Sequence, residues 1–163
     1  MKISHRLQKI IILLMNIILT EGIAILVAFS IKDIAKTYDS LKKSIFSPPN
    51  YVFMIVWPIL YLLMSISSNR ILLKRNEDSR VKKAIILYIV QLGVNFLWTA
   101  VFFQFKLYGL AFIVSLFLVI LIFFTIIIFY GIHKISAFLL IPYLLWVSYA
   151  SVLNLTIWLL NEA

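Results

Sequence analysis

Apolar residues run through the chain in five long blocks that are separated by short polar or charged connections. The blocks cover approximately residues 10–31, 51–73, 84–105, 108–130 and 135–160. A helix that crosses a bilayer needs about 20 predominantly apolar residues, and each block reaches that length. The pattern therefore predicts an all-α integral membrane protein, a bundle of five transmembrane helices that forms a single domain over residues 1–163.

The composition agrees with this prediction. Hydrophobic residues occupy 64% of the 163 positions, charged residues occupy 13%, and the mean hydropathy is +1.08. So few charged side chains cannot cover the surface of a water-soluble domain, so the lipid bilayer is the expected partner of the chain. Lys2, Arg6 and Lys9 precede the first block as in a signal peptide, but the block is longer than the apolar region of about 7–15 residues in such peptides. We interpret it as an uncleaved first span.

The distribution of basic residues predicts how the chain lies in the membrane. The net charge is +9, but the Lys and Arg residues form short runs between apolar blocks and no basic face, so no nucleic-acid partner is expected. Five spans place the amino terminus with the second and fourth connections, which together with Arg70 at the end of the second block carry ten Lys and Arg against five on the other side. The positive-inside rule then predicts a multi-pass cell-membrane protein with a cytoplasmic amino terminus, although four lysines between 32 and 43 oppose this orientation.

Conventional catalytic chemistry has little support in the sequence. The chain has no cysteine, and of its six acidic residues only Glu21 lies inside an apolar block. Motifs of hydrolases, nucleotide-binding proteins and zinc proteases are absent, so neither a metal site nor a resident cofactor is predicted. An intramembrane carboxyl group is a candidate functional group. A protonated or interfacially hydrogen-bonded Glu21 is the alternative, and it is the one that we favour.

Three of the blocks carry aromatic and polar residues at helical spacing. These one-face sets are Trp57, Tyr61, Met64 and Ser68 in the second block, Gln91, Asn95, Trp98 and Phe102 in the third, and Tyr143, Trp146, Ala150, Leu153 and Asn154 in the fifth. The three faces could line a cavity for a flat, mostly apolar ligand. They could also simply pack helices together, with amides hydrogen-bonding across the interface. Periodicity alone favours helix packing.

Three stretches that contain these faces resemble one known family. They are YDSLKKSIFSPPNYVFMIVWPILYLLM at 38–64, QLGVNFLWTAVFF at 91–103 and PYLLWVSYASVLN at 142–154. Their order and spacing, and the number of spans, are similar to those of the TspO/MBR family, which includes tryptophan-rich sensory proteins and mitochondrial translocator proteins. The chain differs from the family pattern at Phe46, where a Trp is usual, and at Ser44, where a Pro is common. It also lacks the Tyr and basic residue of the cholesterol-recognition segment of the animal members.

The resemblance implies a five-helix bundle, often a homodimer, that binds porphyrins. It implies a location in the cell membrane, or in the mitochondrial outer membrane if the source is a eukaryote. The implied pocket is bounded by the loop after the first helix and by the second and fifth helices. The implied ligand-binding residues are Phe46, Pro49, Trp57, Tyr61, Asn95, Trp98, Tyr143, Trp146, Ala150 and Asn154.

Three functions follow as alternatives. The first is a membrane protein that binds protoporphyrin-type tetrapyrroles in transport, sensing or homeostasis. The second is light-dependent degradation of bound protoporphyrin, in which the resemblance implies that Trp57 and Trp146 act as the catalytic redox partners of the excited macrocycle. The third is a membrane scaffold that has no small ligand.

Overall fold

The computed structural model describes residues 5–162, except the side chains of residues 5, 6 and 8, and within that range it is built from helices and short connections. The helices are α1 (His5–Ser30), α2 (Ile34–Ser40), α3 (Asn50–Leu72), α4 (Val81–Thr99), α5 (Tyr108–Ile132), α6 (Lys134–Leu139) and α7 (Ile141–Asn161). A π-helical turn, Ala100–Gln104, extends α4.

Five segments of this structure are long and apolar enough to cross a bilayer. They are Lys9–Ser30, Asn50–Leu72, Val81–Gln104, Tyr108–Ile132 and Lys134–Asn161, the last formed by α6 and α7 together. Their ends differ from those of the predicted blocks by no more than three residues. The predicted all-α bundle with five membrane-spanning segments is confirmed.

Local sequence explains where several helices begin and end. Pro49 directly precedes α3, where a missing N–H costs nothing because the first turn has no intrahelical acceptor. Lys106 has a φ of 55° in the tight turn between the third and fourth spans. His133 ends α5 and caps α6, since its side chain accepts the N–H of Ser136. The carboxylate of Glu162, which is far from α5 in sequence, caps that helix. Its oxygens accept the N–H groups of Tyr108 and Gly109 at 3.0 Å.

Helix packing depends on small polar residues at several contacts. Ser67 Oγ in α3 donates to the carbonyl oxygen of Ser136 in α6 at 2.7 Å, and Asn16 Nδ2 in α1 donates to Ser68 Oγ at 3.1 Å. Small side chains let membrane helices approach closely, and their hydroxyl groups bond across the contact. Contacts of α5 with α4 and α7, and of α3 with α1 and α6, hold the bundle together.

The connection between the first and second spans is more structured than the sequence suggested. It contains the short helix α2, and hydrogen bonds connect the rest of its backbone to side chains of α2 and α7. Tyr38 Oη donates to the carbonyl oxygen of Pro48 at 2.9 Å, and the Asn161 side chain bonds both the N–H and the carbonyl oxygen of Lys42. Tyr149 Oη donates to the carbonyl oxygen of Phe46 at 2.7 Å. This connection therefore packs along α7 from Tyr149 to Asn161.

Candidate ligand-binding cavity

A cavity of about 600 Å³ lies at the end of the bundle nearest the connection between the first two spans. Five helical elements form its walls: α1, α2, α3, α4 with its π-helical turn, and α7. Its volume falls within the roughly 300–1,000 Å³ that is typical of pockets for small molecules and cofactors. Among its lining residues are Glu21, Ala24, Ala28, Ile34, Tyr38, Phe53, Met54, Trp57, Pro58, Tyr61, Phe96, Trp98, Phe102, Phe103, Ala150, Leu153, Asn154 and Ile157.

One wall of the cavity is an aromatic surface on α3. The rings of Trp57 and Tyr61 stack, with centroids 5.4 Å apart and planes 26° apart. Phe96 of α4 lies 6.0 Å from the Tyr61 ring. Because extended ring surfaces favour offset stacking with other aromatic planes, this wall suits a flat conjugated ligand.

The side of the cavity formed by α4 and α7 has a polar edge that is held by hydrogen bonds. Trp98 Nε1 donates to Asn154 Oδ1 at 3.0 Å, and Asn154 Nδ2 donates to the carbonyl oxygen of Tyr108 at 2.9 Å. Asn154 is only 1% exposed, so both ends of its amide are satisfied inside the bundle. The bridge joins α4, α5 and α7 and holds the Trp98 indole against the cavity.

The π-helical turn places two further rings on this side. The amide nitrogen of Phe105 donates to the carbonyl oxygen of Ala100 at 3.0 Å, a five-residue step that shifts the helical register. Phe102 and Phe103, both within this turn, line the cavity, with ring centroids 4.7 Å apart.

A second polar cluster lies behind the cavity wall. Asn95 Nδ2 donates to Tyr143 Oη at 2.9 Å, and Tyr143 Oη donates to Gln91 Oε1 at 2.9 Å. All three side chains are at most 1% exposed, and none lines the cavity. In this structure Asn95 and Tyr143 thus join α4 to α7, which is the helix-packing role.

Trp146 also lies behind the wall. Its ring packs edge-on against Phe53, with centroids 5.7 Å apart, and Phe53 is the side chain that reaches the cavity. The indole Nε1 of Trp146 is buried without a hydrogen-bond partner among the residues that the structure describes. Trp57 and Trp146 therefore occupy different positions. Trp57 borders the cavity, whereas Trp146 contacts Phe53, which lines the cavity.

The loop residues of the predicted site do not line the cavity either. The Phe46 side chain is 78% exposed and Pro49 is exposed. The loop instead contributes through Tyr38, which lines the cavity and whose phenol pKa is raised by burial. Lys43 Nζ lies 4.2 Å from the centre of the Tyr38 ring and 3.6 Å from Asp39 Oδ1. A cationic group is thus present where α2 borders the cavity.

Glu21 places one carboxyl group in the otherwise mainly apolar wall of α1. It lies nine residues before the end of α1, or about 13 Å along the axis at 1.5 Å per residue, near the middle of the span. Its side chain has no hydrogen bond or ion pair among residues 5–162. In a bilayer the neutral form is the less costly one at this depth.

Of the ten ligand-binding residues expected from the sequence, five line the cavity and five do not. The lining residues are Trp57, Tyr61, Trp98, Ala150 and Asn154, and the others are Phe46, Pro49, Asn95, Tyr143 and Trp146. Phe53, Phe96, Phe103, the α1 wall and α2 were not anticipated. Phe53 had a usable signal, because it stands four residues before Trp57 on the same helical face, whereas Ala24 and Ala28 gave none.

Comparison with known proteins agrees with this architecture. The model of the TspO/MBR family matches residues 15–159. The chain is 36% identical to protein CrtK of Rhodobacter capsulatus over 76% of this chain and 78% of that protein. It is 38% identical to the tryptophan-rich protein TspO of Archaeoglobus fulgidus (82% and 85% covered) and 31% identical to the human translocator protein (74% and 72%). The chain is therefore a multi-pass membrane protein that belongs to the TspO/MBR family.

Proposed function

We propose that this protein binds a protoporphyrin-type tetrapyrrole in the cavity and acts in porphyrin transport, sensing or homeostasis. The observation that carries the proposal is the aromatic wall of Trp57 and Tyr61 facing a mainly apolar space of about 600 Å³. Burial of a flat macrocycle against stacked rings gains free energy from the apolar area removed from water and from ring contacts.

The charges around the cavity favour one orientation of such a ligand. Lys43, which also pairs with Asp39, lies against the ring of the cavity residue Tyr38, whereas the carboxyl group of Glu21 lies deeper in the membrane span. Propionate groups are anionic, so they gain from proximity to an ammonium group and lose where they are buried at the depth of Glu21 in the membrane span. We expect the propionate edge to lie towards α2 and the apolar edge of the macrocycle towards Glu21.

The test is titration of the purified full-length protein with protoporphyrin, haem and cholesterol, followed by ligand absorbance and tryptophan fluorescence. The proposal predicts saturable binding of protoporphyrin with quenching of tryptophan emission. Trp57→Phe should reduce the quenching, because it removes an indole that borders the cavity. Trp158→Phe is the matched control, since Trp158 stacks on Phe112 and does not line the cavity. Absence of saturable protoporphyrin binding would favour the ligand-free scaffold.

Light-dependent degradation of protoporphyrin is the second candidate function. It is favoured by the placement of Trp57 on the cavity wall, with Trp146 connected to the cavity through the Phe53 ring at 5.7 Å. An indole in contact with an excited macrocycle can give up an electron, and dioxygen is the oxidant that breakdown would consume. Loss of porphyrin absorbance under illumination, with and without dioxygen, distinguishes this activity from binding alone.

The assembly and orientation of the protein are further parts of the proposal. The resemblance to the family supports a homodimer, which mass measurement of the detergent-solubilised protein would test. The excess of Lys and Arg at the amino terminus and in the second connection supports a cytoplasmic amino terminus. Labelling of single cysteines introduced at Lys2 and Lys42 in intact cells would test this orientation, because the first span separates the two positions in the sequence.

A further inference from the structure

A second cleft, of about 410 Å³, lies at the opposite end of the bundle from the aromatic cavity. It is formed where the start of α1, the end of α3 and the junction of α5 and α6 meet. Its lining residues are Lys9, Leu13, Ile66, Asn69, Arg70, Leu73, Lys74, Glu77 and His133. In contrast with the aromatic cavity, most of these residues are polar or charged.

The cleft has an excess of positive charge that the protein does not neutralise. Lys74 Nζ pairs with Glu77 Oε2 at 2.6 Å, which accounts for the single carboxylate of the cleft. Within residues 5–162, no carboxylate lies within 4.0 Å of Lys9 or Arg70. Two cations from different helices thus face the same space without an anionic partner.

Two neutral side chains add hydrogen-bonding groups to the cleft. His133 Nδ1 accepts the N–H of Ser136 at 3.2 Å, an assignment that places the proton of the neutral ring on Nε2 as a donor. Asn69 is 5% exposed, and its Oδ1 has no hydrogen-bond partner in the described part of the chain. A buried amide oxygen without a donor is costly, so a ligand that carries a hydroxyl group would satisfy it.

The position of the cleft indicates where an anion would come from. Lys9 begins the first membrane-spanning segment and Arg70 lies in the last turn of α3, so both ammonium and guanidinium groups are at the headgroup level of a bilayer. Leu13, Ile66 and Leu73 supply an apolar side to the same cleft. A free inorganic anion would make no favourable contact with that apolar side, whereas a phospholipid has both a phosphate for the cations and acyl chains for the apolar side chains.

We propose that this cleft binds the headgroup of an anionic glycerophospholipid. Lys9 and Arg70 hold the phosphate, a headgroup hydroxyl donates to Asn69 Oδ1, and an acyl chain lies along Leu13 and Ile66. Ordinary snorkelling of surface lysines is the simpler alternative. It does not account for two unpaired cations converging from α1 and α3 beside a buried amide that lacks a partner.

The test is native mass spectrometry of the full-length protein, with phosphatidylglycerol or phosphatidylcholine added at equal concentration. We expect one phosphatidylglycerol to be retained in preference to phosphatidylcholine. Removing both cations by Lys9→Gln and Arg70→Gln should weaken phosphatidylglycerol binding about thirtyfold, from about 1 kcal/mol per basic residue at an anionic lipid surface. Lys82→Gln with Lys83→Gln is the matched control, since it removes the same charge from exposed positions outside the cleft.

Two further measurements test whether the loss of binding comes from misfolding and whether the ligand is a free anion. Lys9→Gln alone changes an exposed residue at the start of a span, so it should fold normally and still weaken retention about fivefold. Inorganic phosphate added in excess should not displace the lipid. Equal loss of phosphatidylglycerol in the cleft and control pairs, equal retention of the two lipids, or full displacement by inorganic phosphate would each overturn the proposal.

Discussion

Replacement of Trp57 by Ala is the most informative single change in the proposed binding cavity. The indole borders the cavity while it stacks on Tyr61 at 5.4 Å, so about one face of the ring is available to a ligand. If that face contributes about 80 Å² of apolar contact, the loss is about 2 kcal/mol at 25 cal/mol per Å². A lost aromatic pair adds about 0.5–1.5 kcal/mol. The expected effect is therefore about 3 kcal/mol, or roughly a hundredfold increase in Kd for protoporphyrin.

The assay should follow the porphyrin and not the protein, because the variant lacks one of the four tryptophans. Soret absorbance during titration gives Kd directly. Trp146→Ala is the critical comparison, since Trp146 reaches the cavity only through Phe53 and its loss should weaken binding less than Trp57→Ala does. The reasoning is refuted if Trp57→Ala binds protoporphyrin within twofold of the wild type, or if Trp146→Ala has the larger effect at equal folded fraction.

Three other changes test separate parts of the structure. Asn154→Leu keeps the branched side-chain shape but leaves Trp98 Nε1 unpaired and removes the side-chain bond to the carbonyl oxygen of Tyr108, so it should cost about 1–3 kcal/mol of stability in reversible unfolding in detergent. An unchanged midpoint would contradict the bridge. Glu162→Gln weakens the carboxylate cap of α5, and hydrogen exchange at the first amides of that helix should rise several-fold, by about 0.5–1 kcal/mol. Trp57→Phe with Trp146→Phe retains most of the apolar burial, so porphyrin binding should survive while light-driven breakdown falls; equal rates of breakdown at equal bound fraction would assign the protein to binding or transport.

The spans and part of the cavity could be predicted because they depend on local periodicity. Blocks of about 20 apolar residues determine the spans through bilayer thickness alone. Trp57 and Tyr61 are four residues apart on α3, so the helical repeat places both rings on one face, and the structure finds them stacked at the cavity.

The remaining site residues depend on tertiary packing, which periodicity does not encode. Asn95 and Tyr143 belong to helix faces whose residue types suit a ligand. Their side chains instead hydrogen-bond to each other, which joins α4 to α7. Trp146 shares a face with Ala150, yet the Phe53 ring from α3 stands between its indole and the cavity.

Two features of the cavity, the wall formed by α1 and the π-helical turn, could hardly be predicted from the sequence. The wall supplied by α1 includes Ala24 and Ala28, whose small size matters only because other helices stand opposite. The π-helical turn at 100–104 replaces the four-residue hydrogen-bond step of the α-helix with a five-residue step, and nothing in the run AVFFQ distinguishes it from continuing α-helix. Such a shift depends on how the end of α4 packs on its neighbours.

The central claim is that a porphyrin occupies the space between α1, α3, α4 and α7, and filling that space tests it most directly. Ala150 lines the cavity, whereas Val152, two residues later on α7, is 60% exposed and faces away from it. Protoporphyrin should be titrated into Ala150→Phe and into Val152→Phe, which introduce the same side chain. We predict at least about tenfold weaker binding for Ala150→Phe, because the new ring occupies ligand volume, and wild-type affinity for Val152→Phe. Equal affinity in the two variants would place the porphyrin elsewhere on the protein and contradict the account.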